Sequence, residues 1–178
     1  MTSTSNLLTL SYLNGLAKGS FVDTLADVFE HSAWVGEAVY GARPFTRVTH
    51  LHEAMVEAMR AAPRPRQLAL IRAHPRLAGQ AALAGNLSAH SNAEQASAGL
   101  TACTAAELAT LEHLNLAYEG RFDFPFILAV RGRNKAEIMR LFTKRCARSP
   151  EDEFEEALRQ IALISGLRLD ALFGHDDE

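Results

Sequence analysis

Apolar residues recur three and four apart along most of the chain, the period of a helix buried on one side. Ser20 stands where it would cap "FVDTLADVFEH", with Asp23 reaching back, and Phe21, Leu25, Val28 and Phe29 make its apolar stripe. A short helix over "SAWVGEAVY" ends at Gly41, and "RPF" turns the chain. Thr49 opens "HLHEAMVEAMRAA", which stops before Pro63, and Pro65 suits the first position of "PRQLALIRA". Ser91-x-x-Glu94, Thr104-x-x-Glu107 and Asn134-x-x-Glu137 each mark a helix start, the second helix ending at Gly120. Ser149-Pro150 begins the last helix, with Glu151, Asp152 and Glu153 in a first turn where the helix dipole favours acids. Its stripe is Phe154, Leu158, Ile161, Ile164, Leu167 and Leu172.

One stretch departs from this period. "RFDFPFILAVRGR" is aromatic and β-branched with a proline inside, which reads as extended chain. No second convincing strand exists to pair with it. The pattern therefore predicts an all-α fold: one compact helical bundle over residues 1–178, a single domain, with one irregular or extended segment threading its core. "LAGQAALAGNLSAHSNAEQASAG" is the most loop-like region, and a long polar loop beside a motif is often functional.

Composition narrows the classes. With 48% hydrophobic and 22% charged residues the chain is a globule rather than a disordered segment. A net charge of −3 gives it no electrostatic reason to seek nucleic acid. Cys103 and Cys146 stand far apart with no CxxC, which suggests neither a disulfide framework nor a zinc site and fits a reducing compartment. The start lacks the flanks of a signal peptide, and no apolar run approaches the ~20 residues of a membrane span. The expectation is a cytoplasmic protein with no membrane partner.

Three stretches carry candidate chemistry. In "RAHPRLAG", Pro75 disfavours the α conformation at His74, so the helix ends there and presents the imidazole at its end. Histidine titrates near neutral pH and suits proton transfer. From these residues alone, a plain C-terminal cap is the stronger reading of His74. In "SNAEQ", Ser91 and Glu94 make an ordinary capping signature, but a helix start also offers backbone N–H groups to an anion, and Gln95 follows at once. Arg131 ends the apolar run "FPFILAV"; it either reaches solvent or meets a carboxylate or carbonyl. His50 and His52 would face different sides of a helix, so no metal site is expected there. Phosphate loops, nucleophile elbows and dinucleotide fingerprints are missing.

The order "FVDTLADVFEHSAWV", "RPF", "HPRLAG", "SNAEQASAGL", "NLAYEGRFDFPFILAVRGR" resembles the OHCU decarboxylase family, whose members act on 2-oxo-4-hydroxy-4-carboxy-5-ureidoimidazoline in urate degradation. The resemblance runs from about Leu10 to Leu172. It implies an all-helical homodimer that needs no metal or organic cofactor and takes a small ureidoimidazoline as substrate. By position, His74 matches the essential histidine and Glu94 the catalytic glutamate. Ser91 and Gln95 match the polar residues around that glutamate, and Arg131 the arginine that closes on the substrate. Pro75 and the backbone of Phe126, Ile127 and Leu128 match the walls that place the ring. Two positions depart: Arg76 stands where many members carry an acid, and Asp123 where a glycine is common.

Such a substrate makes sense of these residue types. Its ring holds a carboxylate and a hydroxyl on one carbon beside a C=N bond, which accepts the electron pair released with CO2, so no pyridoxal or thiamine is required. Two other classes stay open on the sequence: a ureide hydrolase acting on allantoin-like compounds, and a non-enzymatic helical binding module. Trp34 is a candidate for the dimer interface.

Overall fold

Nine α-helices and two 3-10 turns carry the chain, with no β-strand, across residues 7–79 and 88–174, which the computed structural model describes. The helices are α1 (Leu10–Gly15), α2 (Lys18–Thr24), α3 (Trp34–Val39), α4 (Val48–Ala61), α5 (Arg64–Ala73), α6 (Ala89–Ser97), α7 (Ala105–Phe122), α8 (Lys135–Arg145) and α9 (Pro150–Phe173). The all-α expectation holds. Within the loop-like stretch 77–99, residues 80–87 lie outside the described residues, and Ala89–Ser97 form α6. Among the described residues no helix is long and apolar enough to cross a membrane.

The chain divides into two units. One takes residues up to Arg64 and from Ala162 onward; the other takes Pro65–Ile161. In the first, Phe21, Leu25, Val28 and Phe29 are all buried, as the stripe predicts, although α2 stops at Thr24 and turns carry the rest. Asn14 and Phe45 exchange two hydrogen bonds of 2.8 Å, and the Arg43 guanidinium donates to the Asn14 and Leu16 carbonyls while lying 3.6 Å from the Tyr40 ring centroid. These contacts fix the "RPF" turn, in which the Arg43–Pro44 peptide is cis. His52 Nε2 sits 2.9 Å from the Ala162 carbonyl and 3.0 Å from Ser165 Oγ, which is why His50, near Thr46 instead, shares no site with it. Arg168, buried with Glu30, donates to its carboxylate and to the Asp27 carbonyl, both at 2.8 Å.

In the second unit the core is aromatic. Phe126 stacks on Phe142 with centroids 3.9 Å apart, and Tyr118 meets Phe122, Phe124, Phe126 and Phe142 edge-on or tilted. Burying each such ring is worth ~1.5–3 kcal/mol. "FDFPFILAV" is irregular and buried, as expected, and side chains replace the missing strand partner. Arg145 Nη1 donates to the Ile127 carbonyl at 2.7 Å, and the Ala129 N–H donates to Gln160 Oε1 at 2.9 Å. Buried backbone groups must find partners somewhere, and here long polar residues supply them. Arg145 is neutralised by Glu153, which also receives the Tyr118 hydroxyl at 2.5 Å. Burial, then the bond to Glu153, pushes the Tyr118 phenol far up, so it stays a donor.

Several helix starts differ from the sequence reading. α2 begins at Lys18 and leaves Ser20 inside; α4 begins at Val48, with Arg47 at its N-cap and no side-chain cap bond. The N-cap residues of both, Ala17 and Arg47, are exposed, so solvent can serve the first amides and a capping side chain is dispensable. Pro65 is the second residue of α5, not its first. Thr104 and Asn134 cap α7 and α8 as predicted, the former in a full capping box. α7 runs past Gly120 to Phe122, because the Phe122 ring is buried and Asp123 takes the left-handed conformation (φ 63°) that closes the helix. Toward the end of α9, Leu169 is buried, whereas Leu167 and Leu172 are half-buried. Trp34 is half-buried as well.

Candidate active site

α5 ends at Ala73, and the His74 N–H donates to the Ile71 carbonyl at 3.2 Å, a last tight turn. The imidazole is at the helix end but only 7% exposed, so it is buried rather than displayed. Its Nδ1 lies 3.0 Å from the Leu70 carbonyl. A carbonyl only accepts, so Nδ1 carries the hydrogen, and in the neutral ring Nε2 holds the lone pair that can take up a proton. The cap reading and the chemical reading are therefore compatible: one nitrogen closes the helix and the other is basic.

His74 lines an open cleft of about 630 Å³ together with Arg72, Arg76, Leu116, Glu119, Gly120, Asp123, Phe124 and Pro125. Its charges are paired across it. Arg76 forks onto the Glu119 carboxylate and reaches Glu112 at 3.4 Å, and the Glu119 hydrogen bond holds its guanidinium pKa above the ordinary value. Arg72 donates to the Asp123 carbonyl at 2.9 Å and pairs with its carboxylate. The sequence reading singled out Asp123 but missed Arg72, Glu112 and Glu119. A signal existed: Glu112, Leu116, Glu119 and Asp123 are spaced i, i+4, i+7 and i+11, one face of α7 and its cap.

The two departures from the family pattern gain reasons. Asp123 occupies a left-handed position, which glycine tolerates best and Asp better than most. Arg76 faces two glutamates, where an acid would be repelled.

The loop after His74 is held from two helices. Gln95 of α6 accepts from the Ala78 N–H at 2.8 Å and donates to the Arg76 carbonyl at 3.1 Å. Asn115 of α7 donates to the Leu77 carbonyl at 3.0 Å. Ser91 and Gln95 are buried and Glu94 is half-buried, all on α6. Ser91 does not open that helix; Ser88 does, its hydroxyl accepting from the Ser91 N–H at 3.2 Å. Starting one turn earlier turns Ser91 inward instead of leaving it at the cap. The structure thus brings the His74 loop and the Ser91–Gln95 helix together. Pro75 is half-buried beside His74, and Phe126, Ile127 and Leu128 lie in the core. Arg131 is exposed and makes none of the hydrogen bonds or ion pairs found among the described residues.

The OHCU decarboxylase family model matches residues 14–170. A 2-oxo-4-hydroxy-4-carboxy-5-ureidoimidazoline decarboxylase of Haloferax volcanii is 38% identical over 169 residues, covering 95% of this chain and 98% of that protein. One from Halalkalicoccus jeotgali is 36% identical, covering 93% and 92%. Among solved structures, one described as (S)-allantoin synthase superimposes with a TM-score of 0.76 at 28% identity; it covers 96% of this chain, which spans 56% of that longer one. Matched over nearly its whole length by the family and by relatives of its own size, the chain belongs to the OHCU decarboxylase family.

Proposed function

We propose that the protein converts 2-oxo-4-hydroxy-4-carboxy-5-ureidoimidazoline to (S)-allantoin and CO2 in urate degradation, without a cofactor. The carrying observation is His74 in a chain of this family: a buried imidazole with Nδ1 tied to Leu70 and the ring lining a cleft. In the proposed reaction the bond to the carboxylate breaks as CO2 leaves, its electron pair forms a double bond to the neighbouring carbon, and the C=N pair moves onto the ring nitrogen, which takes up a proton from water. His74, coupled to Glu94, takes the hydroxyl proton as that oxygen becomes a carbonyl. One of the two then returns a proton to a single face of the ureido-bearing carbon, which sets the S configuration. Pro75 and the backbone of Phe126–Leu128 wall the ring, Ser91 stands with the polar residues around Glu94, and Arg131, Gln95 and backbone amides bind the ring oxygens and the ureido group. The proposal includes a cytoplasmic homodimer, whose mass light scattering would give as twice that of the chain.

Urate oxidised in the presence of the protein, followed by polarimetry, tests the reading. Rapid appearance of one allantoin enantiomer is expected. Consumption of added allantoin would mean a ureide hydrolase instead, and no effect on either compound a binding module. A positioned acid or base contributes ~10²–10⁴-fold, so His74→Ala should lose that much kcat while keeping its helical circular dichroism. A wild-type kcat in folded His74→Ala sinks the mechanism.

A further inference from the structure

Resting on that reading, we infer that Asn115, with Gln95, is a positioning residue: the two buried amides lock the backbone of residues 76–78 and thereby fix His74 relative to the helix that carries Glu94. Three successive residues of this loop give up a backbone group to a side chain: the Arg76 carbonyl to Gln95, the Leu77 carbonyl to Asn115, the Ala78 N–H to Gln95. The loop needs such a hold. Ala78 sits at φ 50°, a left-handed conformation that a residue with a Cβ adopts only when its surroundings impose it. One residue on, a Cβ at Gly79 would stand 2.9 Å from Arg76 Cβ, so the turn is also tight.

Asn115 bears the mark of a residue kept for placement rather than for stability. It is 1% exposed, its Nδ2 holds Leu77, and its Oδ1 is buried with no hydrogen-bond partner. An unsatisfied buried acceptor is a standing cost; an isosteric leucine removes it but leaves the Leu77 carbonyl without its donor, so the two changes largely offset. Gln95 adds the second half of the argument. It follows Glu94 on α6, so a clamp at Gln95 ties the glutamate's helix to the histidine's loop. A misplacement of ~1 Å between groups that exchange protons costs on the order of 10²-fold in rate.

The test uses Asn115→Leu and Gln95→Met, both close in shape to the originals, with kcat and KM measured on freshly generated substrate. Amide hydrogen exchange at Ala78 is measured in parallel and does not depend on turnover. In wild type the Ala78 amide should be protected at least ~100-fold over the free chain, and both variants should lose at least ~10-fold of that protection. kcat should fall ~10- to 100-fold in both, with KM within ~3-fold in Asn115→Leu, while Tm drops by less than ~5 °C. An unprotected Ala78 amide in wild type overturns the proposal even if a variant fails to fold. Unchanged kcat in either folded variant overturns it too. A rise in KM alone in Asn115→Leu would make that amide a ligand contact instead, which also overturns it. If wild type makes no allantoin, the decarboxylase reading falls by itself, and Ala78 exchange still decides whether the loop is held by these amides.

Discussion

At the scale of single residues, the backbone conformation decides as much as the side chain. Asp123 shows this: its φ of 63° is costly for most residues, and its carboxylate pairs with Arg72 at a largely exposed position. An exposed pair is worth ~0.2–1 kcal/mol, and the strain that glycine would relieve is of similar size. Asp123→Gly should therefore change stability by less than ~0.5 kcal/mol in urea unfolding, whereas Asp123→Val, branched at Cβ, should cost at least ~1–2 kcal/mol. A large loss in the glycine variant would mean that the Arg72 pair matters more than its exposure suggests. The residue scale is also where the sequence was most legible in outline and least in detail. "HP" at a helix end located His74, because proline acts locally on the residue before it. Nothing in "LNLAYEG" announced Asn115 as the partner of a carbonyl 38 residues earlier, since that contact exists only after packing.

Among the elements, starts with reciprocal side-chain bonds were readable and starts without them were not. Thr104 Oγ1 accepts from the Glu107 N–H while Glu107 Oε2 accepts from the Thr104 N–H, a closed local exchange that the four residues specify alone. Lys135 adds a bond of 2.7 Å to the same carboxylate and, more than any other contact, holds its pKa below the ordinary range. Thr104→Ala should cost ~1 kcal/mol, a Tm loss of ~2–4 °C, with kcat untouched. Loss of activity at the permissive temperature would show that α7 carries cleft geometry into its first turn. By contrast, Ser20, Thr49 and Ser91 match the start pattern yet lie one or two residues inside helices that begin at Lys18, Val48 and Ala89. The irregular segment was foreseen as unpaired from its lone β-like composition. Its actual partners, Arg145 and Gln160, come from helices 18 and 31 residues away and left no local trace.

Over the whole molecule, the irregular segment links the core to acid stability. Gln160, which holds Ala129, also donates to Glu156 at 2.8 Å, and Arg159 grips the same carboxylate. Burial raises the Glu156 pKa, but the hydrogen bonds from Arg159 and Gln160 outweigh it and leave the group at about 2, against an ordinary 4.5. A depressed folded pKa gives stability that is complete above pH 4.5 and lost as the pH falls from there toward 2. Thermal melts from pH 7 to 2 should show the gap between wild type and Glu156→Gln closing over that window; a constant gap would refute the assignment. The all-helical class was legible because it follows from periodicity summed over the whole chain. The division into units was not, for one of them is discontinuous in sequence. That discontinuity sets an order of assembly on the ribosome. Residues 65–161 emerge as one stretch, while Glu30 must wait for Arg168, 138 residues later. At ~5–20 residues per second the early helices spend several seconds with apolar faces uncovered, a window in which a nascent-chain chaperone has most to bind.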